Sequence, residues 1–258
     1  MVPEGVTTTR SWLMEAGLTR HALDNLVKSD QLESIVNGVY KKSGSTVSWQ
    51  GILYYLQYME KTNLTIGGIT ALEMQGLAHY LPLGKQKSIH LYGDHKFPNW
   101  VNALVPDVEF IYHGIKDLLG KQRVYEGKNT MPGHQEDLLT FTMNQQWKEG
   151  LPGLRMSIPE RAYLEVLMDV PNKISFDHAD QLILGLTSLS PRKLQKLLTL
   201  CENVKVRRLF FWIAERYNYS WLSRIDRSNL GMGTGNRVIA KGGKLNKKYQ
   251  ITVPEIYE

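Results

Sequence analysis

A single cysteine, Cys201, in 258 residues excludes an internal disulfide and leaves no set of thiolates for a structural zinc site. No apolar run approaches the roughly 20 residues that a membrane-spanning helix needs. The first residues, Met1-Val2-Pro3-Glu4-Gly5, have neither the basic start nor the apolar stretch of a secretory signal. These absences lead to the expectation of a cytoplasmic protein with no membrane partner. Low complexity is missing as well. With 42% hydrophobic and 10% aromatic residues, among them 13 tyrosines and 6 tryptophans, the chain has enough apolar material for a large packed core.

The usual groupings of catalytic chemistry are also lacking. The carboxylates Glu136, Asp137, Glu160, Glu165, Asp177 and Asp180 are dispersed, and ordinary solvated faces account for them. The seven histidines include His90 and His95 near Asp94, but no spacing resembles a metal-ligand set. Gly231-Met232-Gly233-Thr234-Gly235 suggests backbone amides around an anion. The stricter phosphate-loop motif fails there, and Gly242-Gly243-Lys244 is followed by Leu245 rather than Ser or Thr. No catalytic residue, cofactor or metal is therefore assigned, and Cys201, beside a helix end, reads as a buried thiol.

Charge is informative by position. Residues 1–80 hold six Lys/Arg against seven Asp/Glu, residues 81–191 eleven against thirteen, and residues 192–258 fourteen against five, a net +9 in the last quarter. Such an excess suits a nucleic-acid surface, a patch for an acidic protein or a solvated basic face, and charge alone does not choose among them.

The pattern divides the chain into residues 1–45, a helical bridge at 46–84 and a larger part at 85–258. Thr9 to Glu15 reads as a short helix stopped by Gly17, and Thr19 as the N-cap of a second helix with Leu23, Leu26 and Val27 on its apolar face. Leu32–Val36 and Val39–Lys42 flank Asn37-Gly38, a dipeptide suited to a type I′ hairpin turn. Helices are expected over 49–60, 70–81, 159–170, 176–186, 191–200 and 204–219, with short strands at 88–92 and 108–112. Arg237–Ala240 and Tyr249–Val253 are expected to pair across the lysine-rich connection. The fold class is α+β, an N-terminal winged helix-turn-helix followed by a mixed, mostly helical C-terminal domain.

In a winged helix-turn-helix the second helix enters the major groove and the hairpin touches the backbone. Thr19, Arg20, His21, Asn25 and Lys28 are then the groove candidates, with Asn37, Lys41 and Lys42 on the wing. Arg and Asn match base edges, whereas lysine serves a phosphate. Residues 1–45 are nevertheless neutral, five basic side chains against five acidic, so a DNA face requires segregation of charge in space. Within the basic tail, Arg207, Arg208, Arg224, Arg227, Arg237, Lys241, Lys244, Lys247 and Lys248 are candidates for one surface patch. On the helix over 204–219, Lys205, Arg208, Glu215 and Arg216 are expected to face outward.

Four stretches carry a family resemblance: TRSWLMEAGLTRHALDNLVKSDQLESIVNGVYKK, GGITALEMQGLAHYL, VRRLFFWIAER and RVIAKGGKLNKKYQITVP. Together they resemble the AbiEi antitoxins of type IV toxin-antitoxin systems, associated with abortive phage infection in bacteria. The resemblance implies an N-terminal winged helix-turn-helix that represses its own operon at double-stranded promoter DNA with inverted repeats. It also implies a C-terminal domain that neutralises a cognate nucleotidyltransferase-like toxin, by direct binding or by opposition at a shared target. Relatives carry a further helix before the Pro-x-Gly segment matched by Pro3-Glu4-Gly5, so the DNA domain is expected to be one supporting helix short. They also resemble Gly-Trp where this chain has Asp30-Gln31. A toxin of that class would show Gly-Ser followed by metal-binding acids, whereas Gly44-Ser45 is followed by Thr46, Val47 and Ser48. The leading expectation is an antitoxin and autorepressor without catalytic activity. The runner-up is a protein-binding regulatory factor whose winged helix no longer reads DNA. A third reading is an enzyme using an acidic cleft in residues 85–190.

Overall fold

The computed structural model describes residues 2–78, 87–94, 97–119 and 141–257. His79, Pro82, His95, His134, Glu136 and Asp137, which figured in the sequence reading, lie outside them. Among the described residues no helix is long and apolar enough to cross a membrane.

The chain opens with β1 (Thr7–Thr9), α1 (Arg10–Glu15), α2 (Arg20–Lys28), β2 (Leu32–Val36) and β3 (Val39–Lys42), whose strands form a sheet in the order β1-β3-β2. Thr9 ends the strand and caps α1, its hydroxyl accepting from Trp12 N at 3.2 Å and bonding Tyr55 Oη at 2.7 Å. Thr19 caps α2 in the same way through Ala22 N, as its place before an apolar face predicts. Between the helices Gly17 takes φ 96°, a conformation that a Cβ would strain. After α2 the chain turns through Asp30 at φ 55°, the left-handed region in which glycine is favoured and Asp is tolerated. That geometry accounts for the glycine that relatives resemble at this place. Val2, Leu13, Leu23, Leu32 and Tyr40 form the core, with Trp12, Met14, Leu18 and Leu26 packed against it.

The hairpin turn differs from the expected type I′. Val36 pairs with Val39, but only Gly38, at φ 75°, has a positive φ, the pattern of a type II turn. A register irregularity between Ser34 and Val36 supplies the extra strand twist that a type I′ turn otherwise provides.

Ser48 caps α3 (Trp49–Tyr54), which continues as a π-helical turn through Met59 rather than as regular α-helix to residue 60. Gly51 is required here, because a Cβ would stand 1.8 Å from the Gly5 carbonyl oxygen. Then follow β4 (Thr65–Ile66), α4 (Gly68–Met74), β5 (Lys87–Gly93), α5 (Val101–Leu104), β6 (Val108–Gly114), α6 (Lys116–Leu119), β7 (Thr142–Gln145) and β8 (Leu154–Ser157). The second sheet has the order β6-β5-β4-β8-β7. Helices α7 (Pro159–Asp169), α8 (Phe176–Leu184), α9 (Pro191–Leu200) and α10 (Val204–Glu215) precede β9 (Arg237–Val238), β10 (Lys244–Asn246) and β11 (Ile251–Val253). The class is α+β, but the mostly helical C-terminal part is not found: seven described strands lie beyond residue 85. Strands of two to four residues carry too few alternations for a period of two to stand out.

The chain divides into two compact units, one of residues 1–65, 82–112 and 144–155, the other of residues 66–81, 113–143 and 156–258. Within the first, Gln57 is buried; its amide donates to the Leu64 and Arg155 carbonyls, both at 3.0 Å, and its oxygen accepts from Arg155 N. Within the second, α7 is buried along nearly its whole length. Its Glu165 is satisfied by Arg161 Nε at 2.7 Å, Ser157 Oγ at 3.1 Å and Gly68 N at 2.9 Å, the last supplying α4 with the cap that Gly67 lacks.

Candidate nucleic-acid interface and a second basic surface

Leu23 anchors α2 from below, and Leu26 is half-buried beside it. On the opposite side Arg20, His21, Asp24, Asn25 and Lys28 are all exposed. At 3.6 residues per turn these five fall within an arc of about 140°. Two cations, a histidine and an amide capable of bidentate contact to adenine thus share one outward stripe. Asp24 stands in the middle of it and opposes phosphate, so the stripe is better suited to reading an edge than to neutralising backbone.

The wing is divided in a way that the sequence did not reveal. Cross-strand register sets Lys41 opposite Glu33, and their side chains meet at 2.9 Å. Lys41 Nζ also donates to the Ser45 carbonyl at 2.6 Å, which commits the ammonium to the wing itself. Lys42 and Asn37 are exposed. Gly44-Ser45 is a structural turn, with Gly44 at φ 73° and the Ser45 hydroxyl donating to Lys42 O. The sequence reading missed Arg10. Its backbone N donates to Gly38 O and its guanidinium to Tyr40 Oη at 2.9 Å, which holds an exposed cation beside the wing turn. A cation at the first helical position, with no acid beside it, was the available signal.

The basic tail separates into buried, paired and free cations. Arg208, expected at the surface, is 1% exposed. Its Nε donates to Met232 O and its Nη1 to Gly235 O, both at 2.7 Å, and further bonds reach the Gln250 main-chain and side-chain oxygens. No surface includes it, and its work is to hold the glycine-rich loop against α10. Burial lowers its pKa, and Arg237 lowers it further. Arg227 and Lys248 converge on Glu215 at 2.5 and 2.7 Å. Burial pushes Glu215 up, but donation from Lys248, Arg227 and Tyr249 overrides it and holds the carboxyl at about 2. Arg216, exposed as expected, lies 4.2 Å from the Tyr257 ring centroid. Lys205 is half-buried and donates to Met168 O and Val170 O at 2.7 Å, a cation at the carbonyl end of α7. Arg207 is half-buried, while Arg224, Arg237, Lys241, Lys244 and Lys247 are exposed and form no ion pair among the described residues.

The remaining chemical candidates are structural. Cys201 is buried, and that burial raises its thiol to about 11. Asp94 accepts from Asn63 Nδ2 at 3.2 Å. Glu160 accepts from Ser190 N, at the start of α9.

Comparison with known proteins agrees with this geometry. The family described as the AbiEi antitoxin N-terminal domain, a transcriptional regulator, matches residues 1–83. The family described as transcriptional regulator, AbiEi antitoxin, type IV TA system, matches residues 86–254. No curated protein matches. Among solved structures, the RV2827C protein from Mycobacterium tuberculosis is similar at 16% identity over 95% of this chain and 85% of that one, with a TM-score of 0.47, too remote to carry weight.

Proposed function

The chain belongs to the AbiEi antitoxin family of transcriptional regulators in type IV toxin-antitoxin systems, and from that premise we propose that it represses its own operon and counters a nucleotidyltransferase-like toxin. The observation that carries the DNA half is the outward stripe of Arg20, His21, Asn25 and Lys28 on α2, set beside an exposed Lys42 on the wing. Arg20 and Asn25 read base edges in an inverted-repeat promoter, and Lys28 and Lys42 hold phosphates. The antitoxic half falls to the free cations Arg224, Arg237, Lys241, Lys244 and Lys247. No step of bond making or breaking is assigned to the chain, which acts by binding in the cytoplasm.

One observation favours a second reading, a regulatory factor that binds protein and not DNA. Asp24 occupies the centre of the α2 stripe, and Glu33 neutralises Lys41. A promoter-reporter assay and fluorescence anisotropy on the promoter duplex decide between the two. Autorepression is expected from the wild-type chain and its loss from the double variant Arg20→Ala, Asn25→Ala. Equal repression by both removes these residues from the reader, and no promoter binding by the wild-type chain favours the second reading.

A further inference from the structure

The last sheet carries an apolar row that nothing on the chain covers among the described residues. β11 pairs with β10 and β9 so that Leu245 lies opposite Thr252 and Thr252 opposite Val238. Residues opposed in this way share a face of the sheet, and the neighbouring rows, which include Ile251 and Val253, both 0% exposed, turn to the interior. The outward row is therefore Leu245–Thr252–Val238. Val238 is 72% exposed and Leu245 37%. Thr252 turns its hydroxyl away from the row, accepting from Ile239 N and donating to Ala240 O, both at 2.9 Å, so that its methyl completes an apolar strip. With strands about 4.8 Å apart the strip is roughly 10 Å wide.

Its rim has a single sign. Arg237 precedes Val238, Lys244 precedes Leu245, and Lys241 and Lys247 flank the connections; all four are exposed and form no ion pair among the described residues. The turn that presents Lys241 is rigid. Gly242 takes φ 71°, and a Cβ on Gly243 would stand 2.1 Å from the Val253 carbonyl oxygen. The row holds aliphatic groups and no ring, whereas non-specific single-strand binders place aromatic rings between their cations for base stacking. An aliphatic centre with a charged rim is the anatomy of a protein-protein contact.

We propose that the Leu245–Thr252–Val238 row is a docking centre for direct contact with the toxin encoded beside this antitoxin, at a toxin face with an aliphatic centre and an acidic rim. This rests on the antitoxin reading above and chooses direct contact over opposition at a shared target. The apolar row supplies most of the binding and the cations orient the encounter.

Isothermal titration of the full chain with the purified toxin tests it, alongside growth rescue and promoter repression. The exposed pair Val238→Ser, Leu245→Ser is expected to keep its fold, checked by circular dichroism, and its promoter repression, yet to bind the toxin at least tenfold more weakly. The reversal Arg237→Glu, Lys241→Glu is expected to lower affinity with a flatter salt dependence. Toxin binding equal to wild type in the Val238, Leu245 pair overturns the proposal. So does a wild-type chain that binds no toxin while its cations bind a tRNA pool. Failure of the wild-type chain to restore growth counts against the antitoxin reading itself and is scored independently of the titration.

Discussion

Arg208 keeps a guanidinium inside the protein with oxygens for company and no carboxylate in the hydrogen-bonded shell. Four donated bonds to Met232, Gly235 and Gln250 take up its fork, and they fasten a loop with three glycines that has little side-chain packing of its own. Replacement by Met leaves those oxygens to find water or go without, at a cost of roughly 2–4 kcal/mol. Lys fares little better, because one ammonium does not span three acceptors in different directions. Urea midpoints of Arg208→Met and Arg208→Lys are both expected to fall while promoter affinity stays unchanged. A midpoint equal to wild type shows that the clamp does not hold the loop. Glu215 is the tail's other fixed point. Its folded pKa of about 2 lies below the roughly 4.3 of an unfolded glutamate. The carboxylate therefore stabilises the fold above that unfolded value, and the contribution fades as pH falls toward 2. The urea midpoint of Glu215→Gln is expected to trail wild type at pH 7 and to converge on it near pH 2. A gap that does not narrow on acidification contradicts this.

At the scale of elements, the wing shows how register decides which cations are free. Lys41 and Lys42 are neighbours in sequence, yet one is committed to Glu33 and Ser45 O and the other is exposed. Removing Lys28 or Lys42 is expected to lower affinity for promoter and scrambled duplexes alike, and to reduce the salt slope by about one unit for each lost phosphate contact. Lys41→Ala is expected to change that slope less, because Glu33 is released at the same time. Equal slopes for the Lys41 and Lys42 variants would show that the Glu33 pair opens on DNA. The starts of these elements were legible in the sequence because a cap is a local device. Thr9, Thr19, Ser190 and Asn203 each bond an amide three residues on. The strands β1 and β4 were not legible, since their partners lie far off in sequence: Thr7 pairs with Lys41 and Ile66 with Met156. Of the candidate sites, the α2 stripe followed from periodicity, whereas the burial of Arg208 was missed because a cation reads as surface. The signal lay in its surroundings, since residues 206 and 209–214 are apolar on every side of the helix and leave little outward face.

At the scale of the whole molecule, the two family matches meet between residues 83 and 86, while the first compact unit also draws on residues 87–112 and 144–155. A fragment of residues 1–83 therefore keeps some of that unit and loses the rest. It keeps the core of Val2, Leu13, Leu23, Leu32 and Tyr40, and the bonds from Trp12 Nε1 to Met59 O and between Thr9 and Tyr55. It loses both bonds between Gln57 and the Arg155 backbone, the Tyr58 hydroxyl's bond to Gly153 O, and the Trp147 ring beside Tyr54. A buried amide left without partners costs about 1–3 kcal/mol, enough to loosen the π-helical turn that carries Gln57. Hydrogen exchange on this fragment is expected to show protection at Leu23 and Tyr40 close to that in the full chain, and clearly weaker protection at Leu56 and Gln57. The fragment is then expected to recognise the promoter, because no residue of the α2 stripe depends on the missing segments. Full-chain protection at Gln57 in the fragment would mean that the helix is held from within residues 1–83 alone, and the interleaved unit would not be the cooperative one.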